Sequence, residues 1–415
     1  MLNAKHLLGV MPSHEVSDNE NGSYLQEEVE MNRGIFKRRA LYMAVASALA
    51  VPATANAVEV SVSGHVNRAI LFADDGFDSD VMQSDNAQSV SRFRITGSSE
   101  LGVAGMRVGV NLETAWASNT TSNVTIKGRN GNATGNDVSF DIQHSNLWFS
   151  GGWGTLTLGH AATAYDGIAD ASQAGPVFLA GTTNGATMGS SITFKRTGNA
   201  TFNLGDGRGT TVGNAYESFA GGCQGILRYD TPALGPLTAS VSVSDNESWQ
   251  AGVVLDTSFA GTNIVLGGGY EDLENDVEDS GAIGISERWG VNLGVAFPQG
   301  SNFTVAYSGG GFRNGNGNNG ADTLQSEGRT LYLQLGHQWG HNALAVEYGQ
   351  ADSDGQVAAG TVDHEATVWG IGFTHALSGP RVQLFAGYRN VDLEVQNVTG
   401  IEDVDLFQMG ARVRF

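Results

Sequence analysis

One cysteine, Cys223, stands in 415 residues, so no intramolecular disulfide can staple this chain even in an oxidising compartment. Positive charge is scarce. There are 22 Lys+Arg against 43 Asp+Glu, a formal net charge of −21, which argues against nucleic-acid binding. Long hydrophobic runs are also missing. After residue 57 no apolar stretch reaches the roughly 18 residues a spanning helix needs, and mean hydropathy is slightly below zero. If this chain crosses a membrane, it must do so with strands. Enzyme signatures are absent too. The 9 histidines show no zinc-like spacing, and no Gly-x-Ser-x-Gly elbow or Cys/His pair appears. The glycine-rich stretches 205–209 and 311–320 open no βα unit and read as loops. No catalytic residue, metal site or cofactor is expected. Stability must come from elsewhere, and a closed hydrogen-bond network is a candidate.

The N-terminus has its own logic. Residues 31–39 are basic (Arg33, Lys37, Arg38, Arg39), residues 40–51 are apolar, and Ala55-Asn56-Ala57 is a small-x-small cleavage pattern. This order predicts a secretory signal peptide over 31–57, cut after Ala57 and too short to span as a helix. Residues 1–30 do not fit it, because they carry Glu15, Asp18, Glu20, Glu27, Glu28 and Glu30. Glu27-Glu28-Val29 is readable as GAG-GAG-GT, which resembles a ribosome-binding sequence just ahead of Met31. Residues 1–30 are therefore expected to be a misassigned extension. Mass-spectrometric detection of their peptides in cells would refute that.

From residue 58 to 415 about sixteen segments alternate apolar and polar with the period of two that a strand imposes. The last is the most telling. Phe407, Met409, Ala411, Val413 and Phe415 fall on one face, with Gln408, Gly410, Arg412 and Arg414 on the other. Termini usually fray, but a closed barrel must pair its last strand with its first. The connections alternate short and long along the chain, with 245–248 the one exception. Short ones include 101–105, 232–236 and 340–342; long ones include 74–89, 118–137, 161–223, 271–287, 308–328 and 351–364. Segregating loop length by parity is expected of an outer-membrane barrel, with short periplasmic turns and long extracellular loops. The fold class read here is all-β: a transmembrane antiparallel β-barrel over 58–415. Trp116, Trp148, Trp249 and Trp339 near strand ends and Trp153 in a turn suit interfacial belts, whereas Trp369 reads as lying inside a strand.

Several stretches carry a family resemblance. Residues 91–102 (SRFRITGSSELG) with 109–113 (GVNLE), residues 148–160 (WFSGGWGTLTLGH) with Tyr165-Asp166, residues 64–69 (GHVNRA), residues 229–232 (YDTP) and the terminal Phe415 together resemble Gram-negative general porins. The resemblance spans the whole mature chain. It implies a sixteen-stranded barrel, a homotrimer in the outer membrane of a Gram-negative bacterium, and passive diffusion of small hydrophilic solutes. It also implies that the third long loop, 161–223, folds into the lumen, and that Phe415 serves as a signal to the barrel-assembly machinery. The chain departs from the family in the length and low acidity of that loop, and in His160, where the family often has Arg.

Strand parity points Arg92, Arg94, Arg107, Arg228, Arg288, Arg381, Arg389 and Arg412 inward, along with Glu113, Asp256 and Glu347. An Arg facing lipid at the midplane costs roughly 2–4 kcal/mol, so this pattern demands a wet lumen. Arg92, Arg94 and Arg107 are expected as the basic side of a transverse field, with Asp166 and Asp170 of the loop as its acidic side; Glu113 and Arg228 line the same pore. Acid clusters on the long loops (74–80, 271–279, 352–354, 402–405) are expected at the outer rim. There they would favour cations or hold divalent ions that bridge lipopolysaccharide phosphates. The function expected is a weakly selective diffusion pore in contact with outer-membrane lipids and lipopolysaccharide. The rival is a solute-specific channel whose binding site lies on the long third loop.

Overall fold

The chain divides into two units, Met1–Thr54 and Ala55–Phe415. The computed structural model describes residues 58–415 except 104, 127–138, 170–186, 205–209, 246–247, 274–282, 315–323, 358–359 and 378–380. The expected extension and signal peptide lie outside the described residues, as does Asp170.

The alternating segments form one antiparallel sheet of seventeen strands. In chain order they are β1 (Glu59–Asp74), β2 (Ser79–Asp85), β3 (Arg92–Glu100), β4 (Arg107–Ala117), β5 (Ser139–Gly151) and β6 (Gly154–Ala162). A small ribbon, β7 (Lys195–Arg196) with β8 (Ala200–Thr201), stands apart from the sheet. The wall resumes with β9 (Cys223–Asp230), β10 (Leu237–Ser244), β11 (Trp249–Phe259), β12 (Thr262–Asp272), β13 (Ile283–Ala296) and β14 (Ser301–Asn314). It ends with β15 (Leu324–Trp339), β16 (Asn342–Val357), β17 (Gly360–Ala376), β18 (Val382–Val395) and β19 (Val404–Arg414). β2 pairs with the upper half of β1 and β3 with its lower half, so these two share one stave and the barrel has sixteen. Between them, residues 86–91 leave the wall through a short 3-10 turn, Ala87–Ser89.

Closure is made by the terminal strands. β1 and β19 pair from His65↔Arg414 to Asp74↔Asp405. The last residue is locked by two reciprocal backbone bonds: Gly64 N–H to Phe415 O at 3.1 Å and Phe415 N–H to Gly64 O at 3.0 Å. The Phe415 ring lies where a Cβ on Gly64 would sit, 2.6 Å away; only glycine fits there. Among the described residues, the seventeen-stranded sheet is left with no edge to fray or to recruit another chain.

The outer face is apolar. Val60, Leu112, Leu335, Val346, Leu384 and Met409 are all exposed, in numbers that water would not tolerate and lipid would. Aromatic pairs ring both ends of this band. Trp116–Phe140, Trp249–Tyr270, Trp289–Tyr307 and Trp369–Tyr388 stand toward the long-loop rim, and Trp153–Tyr229 and Trp339–Phe373 toward the short-turn rim. Trp369 thus joins a belt instead of sitting at random within a strand.

Its strand is the reason. β15, β16 and β17 run for 16, 16 and 17 residues, whereas a tilted crossing needs about 9–11. The connection expected over 351–364 is largely a continued β16–β17 hairpin, and the one expected over 74–89 contains β2. Above the membrane both faces of a strand meet water, so the apolar alternation fades while backbone pairing goes on.

Candidate functional site

After β6 the chain does not turn straight back. It spends residues 163–222 before rejoining the wall at Cys223, and the described parts of this stretch dock on the inner face. Its two ends are tied together by Tyr165 Oη, which donates to Phe219 O at 2.8 Å. Inward side chains of the wall then fasten its backbone. Ser242 Oγ accepts from Ala164 N–H at 2.8 Å, Ser308 Oγ donates to Ser218 O at 3.0 Å, Asn292 donates to Ile168 O, and Thr330 donates to Glu217 O.

A track of inward glycines makes room for it. Gly252, Gly269 and Gly290 lie directly across from one another on β11, β12 and β13, and Gly310 faces Gly328 on β14 and β15. A Cβ on Gly252 would meet Ala164 O at 2.2 Å; one on Gly290 would meet Tyr165 Oη at 2.9 Å; those on Gly310 and Gly328 would strike the Phe219 ring at 2.7 Å. Further along, Ile192, Phe194, Val212 and Tyr216 of the loop pack on Leu71, Val391 and Leu406 of β1, β18 and β19. This is the largest apolar core among the described residues. It lies inside the barrel, between loop and wall.

Wall charges come in compensated groups. Glu113 on β4 is buried and takes Arg92 Nη1 at 3.0 Å on one carboxylate oxygen and Arg94 on the other. The register Glu113↔Arg94 sets this contact directly. Arg228 on β9 forks onto Asp230, 2.7 Å away, and donates through Nη1 to Ala162 O and Thr163 O at 3.1 and 2.8 Å, which pins the start of the loop. Asp166 sits just beyond it. Burial pushes its carboxyl above the usual range, against the opposing pull of Arg228, Arg288 and His144. Burial likewise raises Glu217, whose Oε1 accepts from the N–H groups of Ser218 and Phe219 at 3.0 and 3.1 Å.

Of the residues singled out from sequence, Arg92, Arg94 and Glu113 therefore come together, and Arg228 and Asp166 share the base of the loop. Arg107 lies elsewhere. It pairs in register with Glu100 at the short-turn end of β4, is exposed, and donates to Ser98 Oγ at 3.0 Å. Two further ion pairs were not legible as pairs: Arg288 with Glu271, and Arg389 with Glu347, the latter 2.6 Å apart and supported by Tyr332 Oη at 2.8 Å from the same carboxylate. The glycine track was also missed. Its signal is glycine recurring at inward parity on neighbouring strands.

An apolar exterior, two aromatic girdles, a charged interior and an infolded loop define a water-filled channel of the outer membrane. The chain belongs to the Gram-negative porin family, whose family model matches residues 43–396. It is an outer-membrane pore. Among solved structures it resembles an anion-selective porin from Comamonas acidovorans at 18% identity, covering 86% of this chain and 100% of that one with a TM-score of 0.55. It also resembles a loop-deletion form of OmpT, an outer-membrane protein of Vibrio cholerae, at 12% identity, with coverage of 87% and 100% and a TM-score of 0.55. A third likeness is the outer-membrane channel DcaP of Acinetobacter baumannii, at 12% identity, 86% and 97% coverage and a TM-score of 0.54. At these identities the likeness shows the fold. A comparison with curated protein sequences found no match.

Proposed function

We propose that this pore passes small hydrophilic solutes passively through an eyelet whose basic side is Arg92 and Arg94, held by Glu113, and whose acidic side is Asp166 at the base of the third long loop. The observation that carries this is two guanidinium groups gathered on one buried carboxylate, in a wall that faces an infolded loop. Charges of opposite sign across a narrow wet gap create a transverse field that orients dipolar solutes and disfavours apolar ones. Arg228 acts by fixing where the loop begins; Arg107 contributes its charge at the short-turn mouth. Single-channel recording of the refolded mature chain in planar bilayers tests the proposal. Ohmic steps with a linear dependence on salt are expected, and absence of steps would overturn it.

One observation favours a second reading, a solute-specific channel. A cleft of about 340 Å³ between loop and wall is lined by Asn214, Glu217, Phe219, Phe312, Thr330 and His364. Conductance that saturates and is blocked by one solute would support it.

Self-association has its own support. Arg68 faces outward and lies 2.6 Å from Asp85, which is buried behind it, with Ser118 bound to both. Their neighbours along β1 are the outward-facing Val66 and Ile70. An ion pair in the apolar band is costly toward lipid and tolerable when another protein covers it, which fits a homotrimer. The outward acids near the long-loop rim, among them Asp352, Glu365, Glu394 and Asp405, suit divalent cations shared with lipopolysaccharide phosphates. Phe415, aromatic and exposed at the seam, suits recognition by the barrel-assembly machinery.

A further inference from the structure

We propose that the short-turn half of the lumen holds a binding site for small multivalent oxyanions, built from Arg92, His65, Arg412 and Arg414 on three adjacent staves. The proposal rests on the pore reading and names the solute class that the pore would favour.

Register makes the site. His65 on β1 lies directly opposite Arg92 on β3 and directly opposite Arg414 on β19. Arg412 is one inward position further up, opposite Asn67. These positions share the face of Asn67, Ala69 and Leu71, which are buried, while Val66, Ile70 and Phe72 are exposed on the outer face. Cross-strand neighbours on one face stand about 5 Å apart, so the basic groups form a continuous strip.

The strip carries surplus positive charge. Glu113 must serve both Arg92 and Arg94, so one guanidinium charge in that trio is unbalanced. Arg412 is met only by neutral acceptors: its Nε and Nη2 bind Gln383 Oε1, the former at 3.0 Å, and its Nη1 lies 3.4 Å from Ser89 Oγ. No described carboxylate forms an ion pair with it. These contacts also hold the guanidinium still, because Ser89 belongs to the segment that leaves the wall between β2 and β3 and also lies 3.2 Å from His65 Nε2. Arg412 is itself buried, so it supplies a fixed positive charge behind the half-buried His65, Arg92 and Arg414, and fixed positive charge of this kind attracts phosphate-like and carboxylate anions.

The net charge of −21 does not contradict this, because of where the acid sits. In the strand register Asp74 pairs with Asp405, and Asp352 pairs with Glu365, which pairs with Glu394. All are on outward parity near the long-loop rim, as is Asp272. The inward acids Glu113, Glu271, Glu347 and Asp230 each carry an arginine partner; Glu59 and Glu100 share inward parity at the short-turn ends of β1 and β3, Glu100 opposite Arg107, and Asp141 lies on β5. Asp256 also points inward, but from β11, half a barrel away from the strip. Much of the acid that suggested cation preference therefore decorates the outside, and the patch of wall around His65, Arg92, Arg412 and Arg414 is basic.

The test uses the refolded mature chain in planar bilayers. Under a potassium chloride gradient the reversal potential is expected to report chloride preference. Inorganic phosphate added on the short-turn side should reduce chloride current, and Arg412→Gln should weaken that block by about tenfold, the effect of roughly 1.4 kcal/mol. Gln383→Glu leaves Arg412 in place and sets a carboxylate against it, so it should weaken the block similarly even if Arg412→Gln assembles poorly. Cation preference in the wild type, or phosphate block unchanged in both variants, overturns the site while leaving the pore reading intact. Absence of any conductance would instead overturn the pore reading on which the site depends.

Discussion

Glu347 and Arg389 sit on β16 and β18, with β17 between them, yet their side chains meet at 2.6 Å with neither exposed to solvent. The residue between them in register is Gly370, and Glu347 Oε1 lies 2.7 Å from where its Cβ would be. Glycine lets two staves share one ion pair across a third. Removing one partner strands a buried charge, which costs about 3–5 kcal/mol. Glu347→Gln is expected to lower the stability of the folded barrel by that order, and Glu347→Gln with Arg389→Met to recover part of it. Gly370→Val should resemble the single variant. The measurement is the denaturant midpoint of the folded band on unheated gels; equal midpoints for wild type and Glu347→Gln would refute the argument.

The glycine track predicts a conductance change. Gly290 faces Tyr165 and Ala169, and a bulkier side chain there must push the loop off the wall into the lumen. Gly290→Val is expected to reduce the single-channel step and raise its noise, with little effect on strand content by circular dichroism. Tyr165→Ala, which releases the same contact from the loop side and cuts the tie to Phe219, should raise noise without narrowing the step. Unchanged steps in both would show that the loop is held by other contacts.

Much of this was readable in the chain before any coordinates. Period-two alternation fixes which residues face lipid, because a misplaced charge there is expensive, and so parity alone assigns Glu113, Arg389 and Arg412 to the inner face. Alternation does not say how far a strand continues once both faces are wet, so β2 and the tops of β16 and β17 read as loops. Parity also gives a direction and no neighbour. Glu113 with Arg94 is an adjacent-stave pair, but Glu347 with Arg389 depends on Gly370 having no side chain, a three-stave relationship that no linear pattern displays. The loop's docking surface was hidden for the same reason. Glycine at inward positions reads as weakness in a strand until its neighbours prove to be glycine as well.

Acidification should act through Asp166. Burial raises its pKa, so on lowering the pH it becomes neutral before exposed carboxylates do. A neutral Asp166 stops offsetting Arg228 and Arg288, and the lumen gains positive character. The reversal potential is expected to move toward anion preference as the pH falls, beginning above the ordinary aspartate range. Asp166→Asn is the control: it should flatten the pH step attributed to the carboxylate. Linkage gives a second sign. A carboxyl whose folded pKa is raised binds protons more tightly folded than unfolded, so loop docking is strengthened as pH falls through the raised value and is weaker at neutral pH. Glu217, raised by burial in the same loop, contributes with the same sign. A pH-independent reversal potential in the wild type would contradict the placement of Asp166 at the eyelet.

The last prediction concerns the outer wall. Arg68 bonds Asp85 at 2.6 Å and Ser118 Oγ at 2.9 Å, and Asp85 also accepts from Ser118 N–H at 2.9 Å, all on the face that elsewhere presents Val66, Ile70 and Phe72. Beside this cluster lies a depression lined by Ile70, Phe373, Leu384, Ala386, Met409 and Ala411, where short side chains at Ala386 and Ala411 lower the surface. Lipid would fill the depression but leave the ion pair poorly solvated; a second copy of the chain would cover both. Ala386→Trp fills the depression from β18, one stave removed from Arg68 and on the face away from the lumen. It is expected to shift detergent-solubilised protein from a trimer toward a monomer in light scattering, with channel steps in bilayers falling from grouped to single. Arg68→Leu removes the charge that balances Asp85, which is buried beneath Ser118 and Asn119, and should weaken the assembly further. If both variants retained the wild-type mass, this face would be excluded as the contact between copies, and the charge would have to be masked by water drawn in from the rim.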